Sequence, residues 1–290
     1  MEKKISIVAI QTAPTKDLKR NFRQAVRLMH EALTLYKYVD MVVFPEHFLC
    51  FPEKSDGPLI EEIPDLFIRT FSTYAKKFNT YIAAGTIANR RDGKIYNTSL
   101  LFDRQGEVVG SYDKTHLFDA LNAAAGNKES DLITPGDHVF TYDTDFGRIG
   151  IMVCYDVRFP ELARTMALSG VEFLFVPAAF YMPRFDHWQS LVKSAALQNS
   201  MYVAGANLTN QPGGRNLYCG RSLIADPWGI AIATASDKPG FIQSYVEAGY
   251  PAKIRDAVGT FHNRAPELYN IPKTESNHLG WLRCKNSSCT

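Results

Sequence analysis

Apolar runs rich in β-branched residues alternate with helix-patterned segments along most of the chain, and this alternation restricts the folds available. Each run has the length of a strand, and its unbroken hydrophobicity is typical of strands buried on both faces. The predicted strands cover residues 5–11, 39–46, 80–87, 97–112, 148–153, 171–180, 201–207 and 220–235, with turns inside the fourth and the last. The helical period predicts helices over residues 21–38, 64–78, 160–170 and 187–200.

Strands buried on both faces need helices to cover their sheets, so the pattern predicts an α/β fold. The chain has 290 residues, of which 46% are hydrophobic, and this is enough for one large core. No linker rich in glycine and serine divides it. We therefore expect one domain over residues 1–270, followed by a polar tail over residues 271–290.

Charge and cysteine content argue against several classes of protein. The formal net charge is +2 without a basic block, so we expect no nucleic-acid partner and no anionic membrane partner. No apolar run approaches the roughly 20 residues that span a bilayer, and the run Ile5–Ile10 is short for a signal peptide. Five cysteines without a CxxC pair favour a reduced, cytoplasmic protein.

Three residues with catalytic chemistry stand at predicted strand ends. Glu46 ends a buried run, Lys114 ends a strand before a turn, and Cys154 lies between a strand and a helix that begins with Pro160. A helix N-terminus lowers a thiol pKa and favours the thiolate. Alone, each residue has a simpler interpretation: a turn carboxylate, a solvated lysine and a small buried thiol. Together they place a base, a cation and a nucleophile where strand ends converge on a crevice.

The sequence resembles the nitrilase superfamily of carbon–nitrogen hydrolases. The resemblance rests on VVFPEHFL, YDKTHLF, GIMVCYDVRFPELAR, HWQSLVKSAALQNSMYVAGAN and GRSLIADPWG, which follow the family's order and spacing across about the first 270 residues. The CYDxRFPE form of the cysteine motif and the DPWG turn look like the Nit branch. That branch includes ω-amidases and the amidase that acts on deaminated glutathione.

The resemblance implies an α-β-β-α sandwich and a role for each residue. Cys154 would be the nucleophile, Glu46 the general base and Lys114 the cation that stabilises the tetrahedral oxyanion. Glu129 occupies the place of the family's second glutamate and would orient Lys114 and the substrate. Family members also pair, so we expect a homodimer or a higher homo-oligomer.

Substrate contacts are predicted on both sides of the nucleophile. Tyr155 would offer its backbone N–H to the oxyanion, and Arg158 or Arg184 would bind a distal carboxylate. Arg158 could instead form an ion pair with Glu161 or another acid that orients the cysteine loop. An apolar wall would come from Phe180, Tyr181 and Trp188.

Neither a metal nor an organic cofactor is expected. His47 and His116 flank the proposed catalytic residues, but they lack the spacing of metal ligands. We expect these histidines to make structural hydrogen bonds.

The sequence departs from the family pattern in three places. Gln198 replaces an acid that usually ends the helix after the His-Trp pair, which brings the local ion pairs and the substrate range into question. Residues 115–128 are small and featureless where Nit proteins carry a Val-Pro-Gly type of segment. The tail after Tyr269 has no family counterpart.

The sequence favours an amidase that releases ammonia from small linear monoamides through a thioester. N-carbamoyl hydrolysis and hydrolysis of deaminated glutathione stay open as alternatives. A nitrile is less favoured, because nitrilases usually carry tryptophan where this chain has Tyr155. A catalytically silent scaffold and a thiol redox protein are the alternatives from other classes.

Overall fold

The computed structural model describes residues 3–51, 59–119, 128–211, 213 and 217–269. Its strands are β1 (Lys4–Gln11), β2 (Met41–Val43), β3 (Tyr81–Ala83), β4 (Ile87–Arg91), β5 (Lys94–Phe102), β6 (Val108–Asp113), β7 (Phe140–Thr144), β8 (Gly147–Ile151), β9 (Phe173–Ala178), β10 (Tyr202–Asn207), β11 (Leu223–Ala225), β12 (Ala231–Thr234) and β13 (Gly240–Glu247). Its α-helices are α1 (Leu18–Leu35), α2 (Leu59–Phe78), α3 (Pro160–Leu168), α4 (Phe185–Asn199) and α5 (Tyr250–Val258).

The strands form two mixed sheets that pack face to face. The first runs in the order β13-β1-β2-β3-β5-β4, with β6 also paired to β5, and the second runs β12-β11-β10-β9-β8-β7. In the first sheet, β1, β2 and β3 are mutually parallel, and in the second β8, β9 and β10 are. Parallel neighbours carry their carboxyl ends to one edge of the sheet, which is where the proposed catalytic residues follow.

Side-chain alternation along β1 shows how the layers are built. Ile5, Ile7 and Ala9 belong to the core between the two sheets. Val8 and Ile10 belong to the core that α1 and α2 close on the outer face of the first sheet. Because successive strand residues point to opposite faces, an unbroken apolar run fills both cores. With α3 and α4 packed on the second sheet, the result is the predicted α-β-β-α sandwich.

Each predicted strand and helix has a counterpart among the described elements. The structure adds β4, β7, β13 and α5, which the sequence patterns did not predict. The first helix begins before residue 21 because Asp17 caps it, its Oδ1 accepting from the Arg20 N–H at 3.0 Å. The predicted tail over 271–290 lies outside the described residues, so the boundary at residue 270 stays a prediction. Among the helices described, none has the length and apolar character needed to cross a membrane.

Candidate active site

Glu46, Lys114 and Cys154 line one cavity of about 750 Å³. Glu46 lies three residues after β2, Lys114 directly follows β6, and Cys154 lies three residues after β8. Two of these strands belong to one sheet and the third to the other. The packing of the two sheets therefore brings together residues that are 108 positions apart in sequence, from 46 to 154.

Two left-handed residues shape the turns that carry the acid and the thiol. His47, next to Glu46, has φ 50°, and Cys154 itself has φ 48° at the start of a 3₁₀ turn over Cys154–Arg158. Residues other than glycine seldom adopt this conformation, and each instance costs about 1–3 kcal/mol. The surrounding hydrogen bonds hold both turns: Glu46 Oε2, for example, accepts from the Ala179 N–H at 3.0 Å.

The lysine ammonium group lies between two carboxylates. Lys114 Nζ is 2.9 Å from Glu46 Oε1 and 2.8 Å from Glu129 Oε2. Burial alone would lower the pKa of Lys114, but the charges of both glutamates outweigh it and raise that pKa well above its ordinary value. Burial likewise favours a raised pKa for Glu46, yet the Lys114 charge and hydrogen bonds hold it below the ordinary value. The site thus contains a charged lysine and an ionised Glu46 at neutral pH.

The pKa of Cys154 differs from the expectation of a preformed thiolate. Burial and the negative charge of Glu46 raise the thiol pKa well above its ordinary value, and Lys114 only partly offsets them. The thiol hydrogen-bonds to the Glu46 side chain. The 3₁₀ turn after Cys154 does not overcome this burial. The thiol is therefore protonated until a base removes its proton.

Glu129 reaches the site from a 3₁₀ turn, Glu129–Asp131, which lies between β6 and β7 in sequence rather than at a strand end. Its Oε2 accepts from the Phe118 backbone N–H at 2.7 Å while its two oxygens contact Lys114 Nζ. The structure therefore places Glu129 beside Lys114, as the resemblance implied, and gives the lysine a second anionic partner.

A hydrogen-bond network around Asp156 connects the cysteine turn to the lysine segment. Asp156 is fully buried, and its Oδ2 accepts from the Val153 N–H and the Tyr112 hydroxyl, each at 2.8 Å. Its Oδ1 accepts from the backbone N–H of His116 at 2.9 Å and lies 2.7 Å from Nδ1 of the same residue. Sequence reasoning missed Asp156, although a buried carboxylate two residues after the cysteine was the available signal.

Five of the predicted substrate contacts line the cavity, among them two arginines. Arg158 and Arg184 both face the cavity, and neither forms an ion pair within the described part of the chain. The guanidinium of Arg158 stacks 5.1 Å from the ring centroid of Phe180 rather than pairing with Glu161. The other lining residues from that prediction are Tyr155, Phe180 and Tyr181.

Trp188 does not line the cavity, and the expectation that it contacts substrate is corrected here. Its side chain is fully buried, and its indole N–H donates to the Arg221 carbonyl at 2.8 Å. A Cβ at Gly205 would lie 2.6 Å from the Trp188 ring, so the tryptophan packs directly on the β10 backbone. It contacts Phe180 at 5.5 Å between ring centroids and thus supports the cavity wall from behind.

The two histidines make different contacts. His47 lines the cavity, and one ligand atom from each of His47, Glu46 and Glu129 lies within 4.8 Å of the others. Lys114 Nζ bonds to both of these carboxylates, so an ammonium group already takes the position of a cation. His116 stacks on Phe159 and bonds to Asp156, which is a structural role.

The geometry joins a hydrogen-bonded thiol, an ionised carboxylate and a buried ammonium in one cavity, which is a set of groups suited to acyl transfer. A model of the carbon–nitrogen hydrolase family matches residues 5–250. The chain belongs to this family. It is therefore an enzyme of the amide-hydrolysing kind, and it is a nitrilase-superfamily protein in fold as well as in sequence.

Relatives in the family include two named amidases and a solved structure. Omega-amidase NIT2-A of Xenopus laevis is 32% identical over 276 residues, which cover 92% of this chain and 97% of that protein. The 2-oxoglutaramate amidase of Bacillus subtilis is 30% identical over 237 residues, covering 80% and 88% respectively. The crystal structure of Saccharomyces cerevisiae Nit3, a member of branch 10 of the nitrilase superfamily, has a TM-score of 0.78 at 28% identity, covering 88% of this chain and 94% of Nit3.

Proposed function

We propose that this enzyme hydrolyses the terminal amide of a small linear molecule that also carries a carboxylate, in the manner of an ω-amidase. The observation that carries the proposal is the contact of Cys154 with Glu46, which also bonds to Lys114, inside one cavity. The names of the omega-amidase and 2-oxoglutaramate amidase relatives point to the same chemistry.

In the acylation step, Glu46 removes the proton from Cys154 while the sulfur attacks the amide carbon. Proton removal at the moment of attack is needed because the resting thiol has a raised pKa. The carbonyl oxygen becomes an oxyanion, which Lys114 and the backbone N–H of Tyr155 stabilise. Glu46 then gives its proton to the leaving nitrogen, the C–N bond breaks, and ammonia departs from a thioester.

In the deacylation step, Glu46 takes a proton from water, which attacks the thioester carbon. The C–S bond breaks, the acid product leaves, and the proton returns to the Cys154 sulfur. Glu129 supports both steps, because its two contacts with Lys114 hold the ammonium between the base and the oxyanion. One carboxylate thus serves as acid and base in turn, and the second holds the lysine.

The two cavity arginines supply the recognition of the distal carboxylate. Arg158 and Arg184 line the cavity without an ion pair to a described residue, and a substrate carboxylate would complete their hydrogen bonding. Around them the wall is aromatic: Tyr181 stacks on Tyr218 at 5.3 Å, and Phe118 packs edge-on against Tyr155 at 5.2 Å. Such a wall suits the apolar chain between the two ends of the substrate.

The size of the cavity favours a second candidate within the same chemistry. A volume of about 750 Å³ is enough for a ligand of drug size. It could therefore hold an extended amide such as the substrate named in the deaminated glutathione amidase of Bos taurus, which is 28% identical to this chain. N-carbamoyl compounds are a third class to test.

The experiment is a panel of amides measured by ammonia or amine release beside a Cys154→Ala variant. It should include a monoamide of a short 2-oxo dicarboxylic acid, an N-carbamoyl amino acid, a deaminated peptide amide and an uncharged amide. We expect the first to be turned over best and Cys154→Ala to be inactive. Release from none of them would favour the scaffold alternative, and activity in Cys154→Ala would reject the thioester mechanism.

We also propose a homodimer in a reducing, cytoplasmic setting. The second sheet and its helices carry exposed apolar side chains, namely Leu168, Leu197, Trp228, Ile230 and Ile232. Gly229 lies against Leu197, so the turn that carries Trp228 and Ile230 is next to this helix residue. The thiols of Cys154 and Cys219 are both free, as such a setting requires. Light scattering of the wild type and Leu197→Glu tests the interface; a wild-type monomer would reject it.

A further inference from the structure

A buried asparagine lies between the two carboxylates of the site. Asn97 belongs to β5, and its side chain has no solvent exposure. Its Nδ2 atom is 2.8 Å from Glu46 Oε1 and 3.2 Å from Glu129 Oε1. A side-chain amide has two N–H donors and no charge. One neutral group therefore donates to both acids.

The asparagine and the lysine bridge the same two oxygen atoms. Lys114 Nζ lies 2.9 Å from Glu46 Oε1 and 3.1 Å from Glu129 Oε1, the oxygens that Asn97 also contacts. Asn97 Nδ2 and Lys114 Nζ thus each contact Glu46 Oε1 and Glu129 Oε1, and the four contacts form a closed ring of hydrogen bonds. Two carboxylates in such proximity tend to hold a shared proton, unless donors on both sides stabilise the two charges. Asn97 supplies the donor on the side away from the lysine.

His47 completes the surroundings of the asparagine. Its Nε2 atom is 3.0 Å from Asn97 Nδ2, so Nε2 accepts and the ring proton resides on Nδ1. Burial lowers the pKa of His47 despite the neighbouring carboxylates, and the ring is neutral at neutral pH. Three acceptors thus lie within hydrogen-bond distance of the amide nitrogen and share its two N–H groups, while its own Oδ1 has no partner within the described chain. Only the N–H side of the amide is therefore hydrogen-bonded, which indicates that Asn97 acts as a donor.

We infer that Asn97 is a positioning residue of the reaction: it holds Glu46 and Glu129 in place and keeps Glu46 ionised while Lys114 serves the oxyanion. The inference rests on the proposed function, since it assumes that Glu46 is the base. Lys114 has to share its three protons between two acids and a developing oxyanion. The Asn97 amide bonds to Glu46 and Glu129 but to neither the Cys154 thiol nor the Lys114 ammonium, so it can keep its contacts with both acids while Lys114 turns to the oxyanion.

Removal of the Asn97 donor destabilises the ionised form of Glu46. The pKa of Glu46 then rises, and the base is lost to protonation at a higher pH than in the wild type. Other titratable groups also face Glu46 and stay in place in the variant; they are His47, Lys114, Glu129, Cys154, Tyr181 and Tyr218. A change in the acid limb of the pH profile therefore reports the missing amide.

The test compares kcat and kcat/KM between about pH 4 and 9 for the wild type, Asn97→Ala and Asn97→Asp, a range that spans the ordinary carboxyl and imidazole pKa values. We expect kcat to fall about tenfold to a hundredfold and the acid limb of kcat/KM to move up by about one pH unit, since a hydrogen bond to a charged group is lost. KM should change little. Asn97→Asp should move the limb further, because it adds a negative charge beside both acids.

Ser99→Ala is the matched control. Ser99 lies two residues along the same strand, is fully buried, and its hydroxyl has no hydrogen-bond partner in the described chain. Its replacement makes the same kind of buried polar-to-apolar change outside the site. We expect its pH profile to match the wild type.

An unmoved acid limb in both Asn97 variants would overturn the inference, even if their activity fell with their stability. If Asn97→Ala does not fold, Asn97→Ser is read in its place, since the position of the limb does not depend on the fraction of active protein. The proposed function fails differently, through activity that survives in Cys154→Ala. An inactive Cys154→Ala with unmoved Asn97 profiles would reject the role of Asn97 alone.

Discussion

Asp156 bonds to His116, so the residue two positions after the nucleophile holds the residue two positions after the lysine. The contact joins the backbone N–H and Nδ1 of His116 to a single oxygen of Asp156, at 2.9 and 2.7 Å. Lys114 follows a strand of the first sheet and Cys154 follows a strand of the second. This pair therefore fixes one catalytic turn relative to the other across the two sheets.

We expect Asp156→Asn to reduce both stability and activity. An amide offers only one acceptor oxygen, so at least two of the donors around Asp156 lose their partner. Unsatisfied buried donors cost about 1–3 kcal/mol each, and urea unfolding would measure the sum. Asp143→Asn makes the same change in an exposed ion pair with Arg148 and should be nearly neutral. Equal stability of the two variants would show that the Asp156 network holds nothing in place.

The raised pKa of Cys154 predicts slow alkylation at neutral pH. Iodoacetamide reacts with the thiolate, and burial together with the Glu46 charge keeps the thiol protonated in the resting enzyme. The labelling rate of Cys154, followed by mass spectrometry, should therefore rise only on the alkaline side of neutrality. Lys114→Met removes a positive charge that favours the thiolate and should slow labelling further. Rapid labelling at pH 6 would contradict the protonated thiol.

Most strands and helices could be predicted from the sequence, because long apolar runs and helical periods are visible without knowledge of the tertiary structure. The elements that sequence reasoning missed lack such patterns. β7, Phe140–Thr144, is mostly half-exposed and polar, and β13, Gly240–Glu247, is an edge strand recognised only by its pairing with β1. Their identity is set by neighbouring strands rather than by their own residues.

The part of the site that could be predicted from the sequence is the set of residues that lie within recognisable motifs. Strand ends and motif order indicated Glu46, Lys114 and Cys154. They did not show the direction of the Trp188 side chain, which points away from the cavity and bonds to the Arg221 carbonyl. The thiol pKa also depends on burial, which a local argument from a helix N-terminus does not include. Asn97 gave one signal: asparagine is unusual inside a buried strand. Its contacts with two acids, however, come from distant parts of the chain.

Gly85→Ala should disturb the turn that carries Glu46. Gly85 has φ +57°, and an added Cβ would lie 2.1 Å from the Pro45 carbonyl oxygen and 2.7 Å from the Phe48 ring. Backbone must move to relieve such a contact, so we expect a loss of about 2–4 kcal/mol in unfolding free energy together with reduced kcat. Gly93→Ala is the control: φ is +73° but nothing lies within 4 Å of the Cβ. Its unfolding free energy should fall by only about 1 kcal/mol, which is the cost of placing an alanine in the left-handed conformation. Equal unfolding free energies of the two variants would show that the close approach of Pro45 is not the reason for a glycine at position 85.

Arg158→Gln and Arg184→Gln should weaken the binding of a carboxylate-bearing amide. Each guanidinium lines the cavity without an internal carboxylate partner in the described chain, so its charge is available to the substrate. A charged hydrogen bond contributes about 1.5–3 kcal/mol, which corresponds to a rise in KM of roughly tenfold to a hundredfold with kcat largely kept. An uncharged amide of similar length supplies the control substrate, and its KM should hardly change. If KM for the carboxylate-bearing amide stayed constant in both variants, the distal carboxylate would have to bind elsewhere, with Lys128 at the cavity wall as the next cation to replace.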